Sequence, residues 1–142
     1  MCRTAVALVG LLVAPVRAQE PLEKWTAPAE EASRPNPIPP SSEALKRGHS
    51  IYQQHCATCH GEKGKGDGPY ARMHARRGKP PRDLTLPEIQ SRLSDGDIFW
   101  KISHGLRQGG RIIMPSFETD IRSVDDRWKV VLYVRALGKG VR

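Results

Sequence analysis

Cys56-Ala57-Thr58-Cys59-His60 is the stretch of this chain whose residue types and spacing could do chemistry. Two thiols separated by two residues, followed at once by an imidazole, read as a c-type haem attachment site. The thiols add across the two vinyl groups on one edge of a porphyrin, and the residues between them set the reach. His60 then stands beside the ring and can offer a nitrogen to the iron, with a Met on the opposite face as a common second ligand. A Cys-x-x-Cys pair also serves thioredoxin-like redox chemistry or half of a zinc site. The first wants a βαβ setting, and no strand–helix alternation surrounds the motif. The second wants another Cys/His pair. The only other cysteine is Cys2, and His49, His55, His74 and His104 form no tight pair.

The elements that must position this motif follow from local signals. A helix is expected from Ser41 or Ser42, with a Ser cap and Glu43 in the first turn. Leu45, Gly48, Ile51 and Tyr52 share one face of it, and it runs into Cys56. A glycine inside a helix costs about 1 kcal/mol against Ala, which makes sense where another helix crosses closely. Residues 61–85 read as irregular, with Gly61, Gly64, Gly66 and Gly68 letting backbone wrap a flat ligand. They lack the Gly-Lys-Ser/Thr of a phosphate loop. A short helix is expected over Leu86 to Leu93, with Pro87 in its first turn. Another is expected from Asp95 to His104, capped by Asp95 or Gly96 and ended by Gly105. Residues 109–117 then form a loop with an apolar tip. The last helix is capped by Ser123, carries Asp125 and Asp126 in its first turn, and stops at Gly138. Its face of Trp128, Val131, Leu132 and Leu137 is the expected partner of the Gly48–Tyr52 face.

The chain has 142 residues, room for one modest domain, and aromatics are only 6%. A core so poor in large side chains gains from an apolar cofactor. The formal net charge is +8, which propionates would lower. A basic balance suits nucleic acid, a membrane surface or an acidic protein. No basic helix with interleaved aromatics supports nucleic acid. Arg72, Arg76, Arg77, Lys79 and Arg82 cluster in a Gly/Pro-rich loop, either a solvated segment or a docking patch for an acidic partner. Residues 1–18 read as a secretory signal peptide: Arg3, an apolar run from Ala5 to Val16, then Val16-Arg17-Ala18 before a cut. That run is shorter than the roughly 20 apolar residues of a spanning helix. Cleavage would leave only the cysteines of the motif, in keeping with export to an oxidising periplasm. Residues 19–40 read as a Pro-rich linker, an extended arm whose prolines exclude helix or central strand. Trp25 could pack on the domain or on a partner. Residues 41–142 form the expected domain.

The pattern over about residues 42–138 resembles class I monohaem cytochromes c of the bacterial periplasmic type. The residues that carry the resemblance are Gly48 and Tyr52, the haem motif with Gly61, Gly66-Asp67-Gly68-Pro69, Pro80-Pro81-Arg82-Asp83-Leu84, Met114-Pro115-Ser116-Phe117, and Trp128 through Leu137. The resemblance implies an all-α fold, with N- and C-terminal helices crossing over one covalent haem c. It implies thioethers from Cys56 and Cys59, with His60 and Met114 as axial ligands. The carbonyl near Pro69 would accept a hydrogen bond from the second His60 nitrogen. Pro81, Leu84, Phe99, Ile102 and Phe117 would line the pocket, and Arg82 would reach a propionate. Met73 and His104 are the rivals of Met114; His49, His55 and His74 read as ordinary polar residues.

The function expected is that of a one-electron carrier rather than an enzyme, shuttling electrons between respiratory or dehydrogenase partners with acidic docking surfaces. A membrane would be met only through a partner complex or an uncleaved signal. The alternative is a haem enzyme or gas sensor with an open or displaceable distal site. A third reading makes the chain a subunit of a larger oxidoreductase, tethered by its arm.

Overall fold

The computed structural model describes residues 25–76 and 80–140. The expected signal peptide, the first residues of the arm, and Arg77 and Lys79 of the basic cluster lie outside the described residues. The described helices are α1 (Ala29–Ala32), α2 (Ser42–His55), α3 (Ala57–His60), α4 (Ala71–Arg76), α5 (Pro87–Arg92), α6 (Asp95–His104) and α7 (Val124–Gly138). A hairpin of β1 (Leu106–Gln108) and β2 (Arg111–Met114) interrupts the helical order. The all-α expectation holds for the body of the fold, with this hairpin as its one small departure among the described residues.

Helices α2 and α7 form the central crossing. The Ser41 side chain accepts from the Ala44 amide and starts α2; that of Ser123 does the same for Asp126 at the start of α7. Gly48 sits where α2 meets the backbone of Lys129. Tyr52 and Tyr133 pack beside that point, ring centres 5.1 Å apart. Ile51, Tyr52, Trp128, Val130, Val131, Val134 and Leu137 are buried around the crossing, where removing apolar surface from water supplies the main driving force. Helix α6 joins this core through Ile98, Phe99 and Ile102. Arg135 of α7 ties in α5 and the start of α6, donating to Asp95, the Gln90 carbonyl and the Leu93 carbonyl at 2.6 Å each.

Four local expectations need correction. Ser94, not Asp95 or Gly96, caps α6, in a reciprocal capping box with Asp97. The stretch 109–117 is not a plain loop: Gly109 and Gly110, both with positive φ, turn β1 back onto β2. Residues 71–76 of the supposedly irregular segment form α4. Finally, the Pro-rich arm makes the single turn of α1 and lies docked on the domain. The Ser94 hydroxyl donates to the Ala32 carbonyl at 2.6 Å, and the Asn36 amide to the Trp128 carbonyl at 3.0 Å. Proline prevents a long helix, but Ala29–Ala32 falls between Pro28 and Pro35 and can turn once. Trp25 packs on the domain: its indole N–H donates to the Gly105 carbonyl at 2.9 Å.

Candidate haem site

Helix α2 delivers the motif. Cys56 closes α2, its amide bonded to the Tyr52 carbonyl, and opens the one-turn α3. Both thiols are free; Cys56 is buried and Cys59 half-buried. Burial pushes the Cys56 thiol up to about 12, with the neighbouring Cys59 adding to it, and burial raises Cys59 as well. A redox Cys-x-x-Cys works through a thiol lowered toward neutrality, so these environments run against the thioredoxin-like alternative. Among the described residues no group of three or more His, Cys, Asp or Glu could hold a metal ion, and the half-zinc-site alternative finds no second half there.

His60 is oriented by backbone. Its Nδ1 lies 3.1 Å from the Arg82 carbonyl, so Nε2 is the nitrogen it can offer to iron. The expected acceptor near Pro69 is therefore replaced by Arg82, whose carbonyl meets His60 while its side chain is exposed. The glycines explain the substitution. Gly61 and Gly66 have φ of 81° and 75°, so the loop after His60 turns tightly, and the Gly66 amide bonds the His60 carbonyl at 2.7 Å. A Cβ on Gly66 would come within 2.5 Å of the Pro81 carbonyl oxygen; only glycine lets residues 80–84 lie this close. The Leu84 amide then bonds Gly64 at 2.7 Å. Pro69 follows Gly68, which fits against the Ala57 and Thr58 carbonyls. Burial holds the His60 pKa below its ordinary value, outweighing the Arg82 bond that raises it. The ring is thus neutral near pH 7, the form that ligates.

Met114 ends β2, half-buried and paired in register with Leu106. The segment after it is fastened to α6: the Phe117 amide bonds the Ile102 carbonyl at 3.0 Å, and the Ser116 hydroxyl donates to the Ser103 carbonyl. Of its rivals, Met73 is exposed on α4. His104 is exposed, with its Nδ1 on the Trp100 carbonyl and its ring stacked on Trp100. Of the expected pocket residues, Pro81, Leu84 and Phe117 are half-buried and Ile102 is buried. Phe99 is turned into the core instead, stacked on Trp128 at 4.1 Å with the Arg34 and Arg127 guanidinium groups against it. His74, expected to be an ordinary polar residue, has its Nε2 3.6 Å from Cys59 Sγ. Nothing in its spacing from the motif signals that contact.

Two thiols one helical turn apart, an adjoining imidazole held by its Nδ1, and a glycine-lined cradle are a donor set that fits a covalently attached haem. Cys56 and Cys59 would carry the attachment and His60 would face the iron. Together with the crossed terminal helices they define a c-type haem domain. Residues 43–134 match the family model of cytochrome c oxidase, cbb3-type, subunit III, and the chain belongs to this cytochrome c family. Membership makes it a haem-based electron-transfer domain with a covalently bound c-type haem. A chain in the solved reducing HAO-like protein complex of Kuenenia stuttgartiensis is similar to it, at 30% identity and a TM-score of 0.56. That match covers 71% of this chain and 46% of the other, so this chain spans less than half of that neighbour's length. A search of curated proteins finds no match.

Proposed function

We propose that the protein is a one-electron carrier with a single haem c, fixed through Cys56 and Cys59 and held between His60 and Met114. When bound, the haem supplies an Fe(II)/Fe(III) couple whose potential a thioether ligand raises. The residues do the rest. His60 is kept neutral and pointed by the Arg82 carbonyl, and such a bond to the second ring nitrogen fixes orientation and basicity. The observation that carries the reading is the fastening of residues 114–117 to α6, which favours Met114 as a standing ligand over an exposed Met73.

Electrons would pass to and from other redox proteins. The exposed Arg72, Arg76 and Arg82 and the net charge of +8 favour a partner with an acidic docking surface. The family's oxidase subunit and the neighbour's complex support a place as a subunit of an oxidoreductase. Export to the periplasm, with loss of residues 1–18, is part of the same reading. It is supported by Arg3, the apolar run after it and the haem motif. Among the described residues no helix is long and apolar enough to cross a membrane.

Absorption spectra of the exported protein test this. A weak ferric band at about 695 nm, characteristic of sulfur–iron ligation, is expected in the wild type and absent in Met114→Ala. A wild type without that band whose ferrous form binds carbon monoxide at once would sink the carrier reading in favour of an open distal site.

A further inference from the structure

We infer that Trp25 is a positioning residue for the distal ligand: through Gly105 it holds residues 114–117 against the C-terminal end of α6. This inference rests on Met114 as an iron ligand. Residues 25–40 precede the 43–134 family match, so the contact is an addition to the matched domain rather than part of it.

Gly105 is the joint. It ends α6, is buried, and has φ of 66°; β1 starts at the next residue and pairs with Met114. The Met114–Ser116 backbone lies against it so closely that a Cβ would come within 2.6 Å of the Pro115 carbonyl carbon and the Ser116 nitrogen. The Gly105 carbonyl accepts the Trp25 indole N–H at 2.9 Å. The Trp25 carbonyl in turn accepts from Lys101 Nζ at 2.7 Å, and the same ammonium lies 4.8 Å from the Trp25 ring centre. Lys101 is 8% exposed. An ammonium partly withdrawn from water is less stable without its acceptor, and a partly buried carbonyl is likewise favoured by its donor. The two bonds therefore close a clasp in which Trp25 both gives and takes, one helical turn apart on α6. Because Leu106 pairs with Met114, a hairpin that carries Met114 away as a unit must pivot at Gly105, and Trp25 resists that pivot.

The test is the rate at which added imidazole binds the ferric holoprotein, which requires the distal ligand to leave. Trp25→Phe keeps a smaller aromatic ring and removes the indole N–H; it is expected to speed binding about fivefold, the factor one net hydrogen bond supplies. Amide exchange over residues 105–117 should quicken with it. Met114→Ala sets the fast limit. Asn36→Ala frees the other end of the arm from the Trp128 carbonyl; it is expected to lower thermal stability and leave the rate unchanged. If Met114→Ala binds imidazole no faster than wild type, the ligand assignment fails. If Met114→Ala is fast while Trp25→Phe matches wild type, the clasp is overturned. It is also overturned if Asn36→Ala speeds binding as much as Trp25→Phe, since general loosening then explains both.

Discussion

Gly48 of α2 meets Lys129 of α7 backbone to backbone. A Cβ on Gly48 would overlap the Lys129 carbonyl oxygen, lie 2.7 Å from its carbonyl carbon and 3.2 Å from Tyr133 Cβ. In an exposed helix, Gly→Ala gains about 1 kcal/mol. Here the clash is with the backbone of a packed helix, and overpacking costs about 1–3 kcal/mol. Gly48→Ala is therefore expected to destabilise the holoprotein by up to about 2 kcal/mol, seen as a lower midpoint in urea unfolding. A raised midpoint would mean that the crossing is looser than this contact implies.

Tyr52 connects that crossing to the site. Its hydroxyl is buried and donates to the Gly61 carbonyl at 2.9 Å, one residue beyond His60. Burial raises the phenol's pKa, so the group stays a donor at any working pH. Tyr52→Phe leaves the ring packed and the Gly61 carbonyl with the Gly64 amide alone, at 3.1 Å. Stability should fall by about 1 kcal/mol, with the visible spectrum unchanged because no proposed iron ligand moves. An altered ferric spectrum would show that Tyr52 acts on His60 rather than on the fold alone.

The elements that local chemistry dictates were legible. Ser41 and Ser123 announced their helices, and Gly48 announced the crossing because a glycine in an amphipathic helix interior needs a reason. Ser94 is the less conspicuous cap because its box partner is Asp97 rather than the usual Glu or Gln. Gly109-Gly110 was a hairpin signal, but Leu106–Gln108 is too short to show alternation. The prolines of the arm fix φ and say nothing of partners. Its contacts to Trp128, Gly105 and Lys101 span 92, 80 and 76 residues. In the candidate site the motif was legible because its side chains carry the chemistry. The Arg82 contact was not, since a main-chain carbonyl is the same at every residue and only the fold decides which one meets His60.

Arg135 is a single side chain holding three segments. Its guanidinium, half-buried, reaches Asp95 at the start of α6, the Gln90 carbonyl in α5 and the Leu93 carbonyl between them. Gln90 adds to the joint, donating to the Leu84 and Val134 carbonyls. Arg135→Met keeps most of the apolar stem and removes every donor. A loss of about 3 kcal/mol is expected, since hydrogen bonds from charged donors are the stronger kind. Amide exchange should quicken first over 84–93. Arg135→Lys should recover only part of the loss, because an ammonium cannot span the three acceptors as the planar fork does. Full recovery by Lys would reduce the role of Arg135 to its charge.

Asp126 gives the fold an acid-sensitive tie across the same crossing. Arg47 of α2 donates to its carboxylate, with Nε at 3.1 Å, and Lys129 Nζ lies 3.1 Å from the other oxygen. The bond from Arg47 does most to hold the Asp126 carboxyl below its usual range; burial opposes it, and Lys129 adds a lesser lowering. The folded value thus lies below the unfolded value of about 3.9. The stabilisation is fully present above the unfolded value, and it is lost as pH falls through the folded one, where the unfolded chain binds more protons. Unfolding measured from about pH 6 to pH 2 should show a steeper acid loss for wild type than for Asp126→Asn. Because Arg47 is exposed, salt should screen much of the tie and bring the two curves together at about 1 M. Curves that coincide already at low salt would show that the ion pair adds nothing to the crossing beyond what Gly48 and the apolar faces supply.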